Sequence, residues 1–206
     1  MSATATTTRV DLRTRYLGLE LRNPIVAAAS PLTGSVESLL RLQEAGAAAV
    51  VLPSLFEEQI EHEEMGTHNL MLYGAELSPE AGGFFPEVQR QGTAIDKHLR
   101  LIQDAKKALN VPVIASLNGY TAGGWTRYAR QFEAAGADAI ELNVYFLATD
   151  PADTSEAVEQ RYVDLVEAVR ARCSLPLAVK IGPFFSSVGA MARRLVDAGA
   201  DGLVLF

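Results

Sequence analysis

Three segments of the chain repeat one hydrophobic pattern. Leu42–Leu52 reads LQEAGAAAVVL, Phe132–Leu142 reads FEAAGADAIEL and Val196–Phe206 reads VDAGADGLVLF. Each closes a helical stretch on Ala-Gly-Ala and then runs into four or five apolar residues. Gly46, Gly136 and Gly199 therefore fall where a helix C-terminus takes a left-handed residue. The apolar runs lack polar alternation, which predicts strands covered on both faces, as in a parallel sheet. Asn110–Asn118 and Leu175–Gly182 fit as further strands after short loops, and Asn23–Ser30 opens the series.

Helical spacing fills the intervals. Leu39, Leu40 and Leu42 share one side of the first pattern, and Ile95, Leu99, Ile102 and Leu109 mark the second. Val158, Tyr162, Leu165, Val166 and Val169 follow a Thr-Ser-Glu start, and Ser186 or Ser187 caps the last helix. The alternation of strand and helix predicts a parallel α/β fold. A doubly wound sheet can end on its sixth strand, whereas a (β/α)8 barrel takes about 250 residues and eight strands to close. Phe56–Thr93 is the one long irregular stretch, acidic at first and then rich in glycine and aromatics.

Composition narrows the function classes. The chain has 206 residues, 49% hydrophobic and 21% charged, enough for one large domain or two small ones. A net charge of −7 lacks the basic footprint of a nucleic-acid or anionic-membrane binder. A lone cysteine, Cys173, rules out an internal disulfide framework and suits the cytoplasm; it reads as a buried, inert thiol. The N-terminal stretch lacks a signal-peptide run, and no apolar run approaches the ~20 residues of a membrane span.

Chemistry in such folds sits at strand C-termini. Lys180 interrupts the apolar run LPLAVKIG, so its ammonium needs a polar pocket. It meets either an anionic ring or phosphate, or a carboxylate such as Glu141. Asn118 and Asn143 end two neighbouring strands with amides, which suit a heterocycle edge or a simple strand-end turn. Ala28, Ala29 and Ser30 offer small side chains and free backbone N–H groups to a flat ligand, or turn chemistry before a helix. GYTAGGW matches no phosphate-binding fingerprint and reads as a turning loop. His62, His68 and His98 match no metal-site spacing, and no metal is expected.

The ordered run NPIVAAAS, AAVVLPS, PVIASLNG, AIELNV, LAVKIGP, ADGLVLF resembles the dihydroorotate dehydrogenase family, from about Val10 to Phe206. That resemblance implies an FMN-dependent (β/α)8 TIM barrel that oxidises dihydroorotate to orotate in pyrimidine biosynthesis. It implies that Ala28, Ala29 and Ser30 lie against the flavin, with Ser30 where a glycine is usual. It places Ser54 and Asn118 beside the flavin, Asn143 against flavin and substrate, and Lys180 at the ring edge. It also implies one domain over residues 1–206 holding about six of the eight β/α units. Strands seven and eight, with the FMN phosphate cradle, would lie beyond Phe206, leaving weak FMN binding at best.

The departures from that family concern its substrate. Phe146 falls on the Cys or Ser base that removes a substrate proton, and a benzyl group accepts no proton. Ala148 and Ala81 replace substrate-binding asparagines, and Pro53 replaces a lysine near the ring. The pattern is similar to a dihydroorotate dehydrogenase-like subgroup with a degenerate catalytic loop. Tyr145 is the candidate substitute acid, by adjacency. The expectation is an FMN-dependent oxidoreductase with an altered substrate. An inactive flavin-binding or scaffolding homologue is the alternative, and a barrel lyase or synthase using Lys180 is a second. The expected partners are a small-molecule substrate and either a second copy, as a homodimer, or a metabolic partner subunit.

Overall fold

The computed structural model describes residues 10–60, 62, 63, 65, 92–119 and 121–206. Ala81 and His68 lie outside the described residues. The chain opens on a hairpin, β1 (Thr14–Tyr16) and β2 (Leu19–Leu21), turned by Leu17 and Gly18 at φ of 53° and 74°. Six parallel strands follow: β3 (Val26–Ala27), β4 (Ala49–Phe56), β5 (Val113–Asn118), β6 (Ala139–Asn143), β7 (Leu177–Ile181) and β8 (Gly202–Leu205). Between them run α1 (Val36–Glu44), α2 (Ala94–Ala108), α3 (Ala122–Ala135), α4 (Ser155–Arg170) and α5 (Val188–Asp197).

The sheet order is β3-β4-β5-β6-β7-β8. Each strand pairs with its predecessor, so the order never reverses, as it must in a doubly wound sheet. The fold is a curled partial TIM barrel. Strand faces alternate accordingly. Val50, Leu52, Val113, Leu117, Ile140, Leu142 and Val179 pack outward against Leu39, Ile102, Phe132, Val166 and Leu195 of the helices. Ala49, Val51, Ile114, Ala139 and Ala178 face inward, where hairpin residues Leu17 and Leu21 cover them. The hairpin sits so close that a Cβ on Gly202 would fall 2.7 Å from Leu17 Cδ2.

Local chemistry explains the boundaries. Ser35, Thr93, Thr121, Thr154 and Ser187 each cap a helix by accepting a hydrogen bond from a first-turn amide. Gly46, Gly136 and Gly199 take φ of 112°, 93° and 111° beyond the helix ends. The repeated Ala-Gly-Ala-Asp adds a second device. Asp138 accepts from Val113 N at 2.7 Å and from Lys106 Nζ at 2.7 Å. Asp201 accepts from Leu177 N at 2.9 Å and Arg170 Nη1 at 3.0 Å. Each aspartate thus ties the start of its own strand to the start of the preceding strand and to the helix that leads into that preceding strand.

Candidate functional site

Alternation along the strands places Ser116 and Asn118 of β5, Glu141 and Asn143 of β6, and Lys180 of β7 on the concave face. β4 reaches the same face through an irregularity. Val51 pairs with Ile114 and Ser54 with Ser116, so β4 carries one residue more than its partner over this interval. Pro53, which has no N–H to lose, falls within that bulge. The shift turns Ser54 inward, where its Oγ lies 2.7 Å from Ser116 Oγ.

Register completes the cluster. Asn143 is the direct partner of Lys180, and Ser116 is the partner of Glu141. Glu141 is only 5% exposed, so burial pushes its carboxyl above the ordinary range while the Lys180 ammonium pulls it back. The Tyr16 hydroxyl is raised by burial and then by the Glu141 charge. Among the described residues, Lys180 acts on Glu141 through charge without a direct hydrogen bond. The cation and both amides therefore share a polar layer above an apolar floor of Val51, Ile114, Ala139 and Ala178.

The other sequence candidates are scattered around this layer. Ala28 is exposed and Ala29 half-buried at the end of β3. Ser30 opens a short 3-10 turn, and its N–H donates to Thr33 Oγ1 at 3.2 Å. The free amide expected there is already used, because the Thr33 hydroxyl turns back to brace the turn. Tyr145 is 57% exposed beyond β6, its ring 3.5 Å from where a Cβ on Gly182 would lie. Phe146 does not face the polar layer. Its ring packs edge-on against Tyr162 at 4.9 Å, and its N–H donates to Tyr162 Oη at 3.2 Å. Tyr162 in turn meets Phe185 edge-on at 5.2 Å. Together with α4, the loops after β6 and β7 enclose a cleft of about 350 Å³.

The GYTAGGW segment is more than a turning loop. Thr121 caps α3, and Gly123 and Gly124 form its first turn. Buried Glu57 docks there, accepting from Thr121 N at 3.0 Å and from the Thr121 hydroxyl. Gly119 and Gly124 leave the space for that carboxylate. Sequence reasoning missed Glu57 because it begins an acidic run that resembles solvated surface. His98 is a core residue, stacked 5.0 Å from Phe132, and burial holds its imidazole down at about 4. Cys173 is buried, and burial raises its thiol, as an inert side chain requires.

Residues 6–171 match the family model described as nitronate monooxygenase. The chain belongs to the nitronate monooxygenase family. This family and the dihydroorotate dehydrogenases are FMN-dependent, so the family-level resemblance in the strand motifs holds at the level of FMN-dependent barrels. The chain is 28% identical over 199 residues to the catalytic subunit of dihydroorotate dehydrogenase B from Thermoplasma volcanium, covering 94% of this chain and 62% of that protein. It is 30% identical over 196 residues to the corresponding subunit from Methanocella arvoryzae, covering 91% and 58%. The chain thus spans less than two thirds of these relatives' lengths. A dihydrodipicolinate synthase from Agrobacterium tumefaciens shares the fold at a TM-score of 0.50 and 19% identity, covering 83% of this chain and 50% of that one. Among the described residues, no helix is long and apolar enough to cross a membrane.

The polar layer fits the family's cofactor on its own chemistry. An isoalloxazine edge alternates carbonyl oxygens and ring nitrogens, which call for a cation and for groups that both donate and accept. Lys180 would supply the first, and Asn143, Asn118 and Ser54 would supply the second.

Proposed function

We propose that this protein is an FMN-dependent oxidoreductase whose substrate is not dihydroorotate. The observation that carries the reading is the pairing of Asn143 with Lys180 on the concave face, joined there by Ser54 and Ser116. Lys180 would hold the electron-rich edge of the ring by charge, and Asn143 would orient it through its amide. Asn118, Ser54, Ala28, Ala29 and Ser30 would line its sides. When bound, FMN supplies the two-electron redox chemistry. The protein's part is to fix the ring and to keep the Lys180 charge beside it in a partly dry site.

The altered substrate rests on Phe146. The side chain at the family's base position accepts no proton, and its ring is turned into the α4 layer. Tyr145, one residue earlier and lining the cleft, is the candidate substitute acid beside that position. The same loss favours a second reading, a flavin-binding homologue without turnover that serves a partner subunit. The degenerate-loop subgroup of dihydroorotate dehydrogenase-like proteins accommodates both.

The test is flavin retention followed by anaerobic mixing. The protein should carry or take up FMN, and Lys180→Ala should weaken that binding by about tenfold. Dihydroorotate should leave the flavin absorbance unbleached. Bleaching by dihydroorotate would overturn the altered-substrate reading, and undiminished FMN binding in Lys180→Ala would overturn the placement of the cofactor. Turnover of any substrate refutes the second reading, and Tyr145→Phe then tests the acid: lost turnover assigns Tyr145, and unchanged turnover removes it.

A further inference from the structure

The cleft beyond β6 and β7 is not lined by Lys180, Asn143, Asn118 or Ser54. Its wall is the edge-to-face series Phe146–Tyr162–Phe185, and its lip carries Leu147, Phe184 and Tyr145 at 74%, 80% and 57% exposure. Exposed apolar groups grouped around a concavity mark a binding site more often than a bare surface. Two carboxylates stand at the rim, but each brings its own cation. Asp153 is held by Arg161 at 2.7 Å, and Glu159 by Arg194 at 2.8 Å. The cleft therefore offers neither an unpaired cation for an acid nor an unpaired carboxylate for a base among its described residues.

Gly182 sets the shape of the opening. A Cβ there would lie 3.4 Å from Phe184 Cδ2 and 3.5 Å from Tyr145 Cε2, so the two rings flank a bare stretch of backbone. A flat molecule can enter between them. An apolar cavity of roughly 150 Å³ accommodates one benzene ring, so a cleft of about 350 Å³ suits a molecule of one or two rings. The concavity disfavours a protein partner, which seeks a broad surface.

We propose that this cleft binds an uncharged, planar, ring-containing small molecule. Under the oxidoreductase reading, on which this last step rests, it is the subsite for the body of the substrate. The reacting end would extend from Gly182 toward the strand termini at Asn143 and Lys180.

Indole and indole-3-carboxylate are the probes, titrated calorimetrically into the full chain with FMN content measured in the same samples. Indole should saturate one site and bind more tightly than its carboxylate. Phe184→Ala should weaken indole by about fivefold. Because Phe184 is 80% exposed, that substitution should leave folding intact. Gly182→Ala, which narrows the gap between the rings, should weaken indole as well. No saturable binding, tighter binding of the carboxylate, or indole affinity unmoved in both variants overturns the proposal. A Phe184→Ala protein that loses self-association without losing indole binding also overturns it, in favour of a protein interface. Indole binding lost with FMN retained refutes only the cleft, whereas FMN lost with indole retained refutes only the flavin reading.

Discussion

Gly124→Ala tests the docking of Glu57 at the start of α3. In an ordinary helix this exchange stabilises by about 1 kcal/mol, because alanine loses less backbone entropy than glycine. Here the new Cβ would lie 1.8 Å from Glu57 Oε1, far inside van der Waals contact. Gly124 is fixed by its helix, so Glu57 must move. Its carboxylate is 3% exposed and would lose the Thr121 N–H and hydroxyl donors. Bonds to a buried charged group are worth about 1.5–3 kcal/mol each. The net effect is a destabilisation of about 2–4 kcal/mol, or a fall in Tm of roughly 10 °C for a chain of this size. Urea and thermal unfolding measure it. Gly123→Ala is the internal control: among the described residues, nothing beyond its own helical turn lies within 4 Å of its Cβ, so it should be neutral or stabilising. In a Glu57→Ala background the clash is gone, and Gly124→Ala should change sign and stabilise. A Gly124→Ala protein as stable as the parent, or a double variant showing no such reversal, would refute the docking argument.

Three further outcomes follow from the same structure. Burial holds His98 at about 4, against 6.5 when exposed, so the unfolded state binds the extra proton. Its contribution is present above about pH 6.5 and is lost as pH falls toward 4, amounting to about 3 kcal/mol; His98→Phe should flatten that limb of the stability profile, and an unchanged acid limb would contradict the assignment. Glu141 is shifted the opposite way, with its folded carboxyl raised above 4.5, so the parent should lose stability relative to Glu141→Gln as pH rises from about 4.5, whereas a pH-independent difference between the two would not fit. Asp138→Ala removes the acceptor for both Val113 N and Lys106, and should cost about 3 kcal/mol in chemical denaturation, several times the effect of Lys106→Met; equal costs would mean that only the ion pair matters.

The strand and helix order was legible because its signals are local. Ala-Gly-Ala ends, serine and threonine caps and unbroken apolar runs each act within a few residues. The hydrophobic pattern alone left the sheet order open, since a sixth strand can end either a doubly wound sheet or a barrel sector; the family resemblance implied the partial barrel, and the sequential order bears it out. The opening hairpin escaped notice because Leu17 takes the first of its two left-handed turn positions, where asparagine or aspartate before Gly18 would have signalled a turn. At the candidate site, Lys180 and Asn143 stood out as polar residues in apolar strands, and period-two alternation places them on one face. Ser116 on β5 and Glu141 on β6 did not, because Ser is too common and Glu141 read only as a partner for Lys180. Alignment with a family motif assigned Phe146 a position but could not give its direction, which depends on Tyr162 sixteen residues later.

The aspartate ties have a consequence for how the chain is made. Every strand of the curled sheet rests on the one translated just before it, and Asp138 and Asp201 engage amides that have already left the ribosome. A nascent unit therefore needs nothing downstream to find its register, and a misaligned one leaves a carboxylate without its donors. Assembly can proceed vectorially, each new segment checked against a finished template.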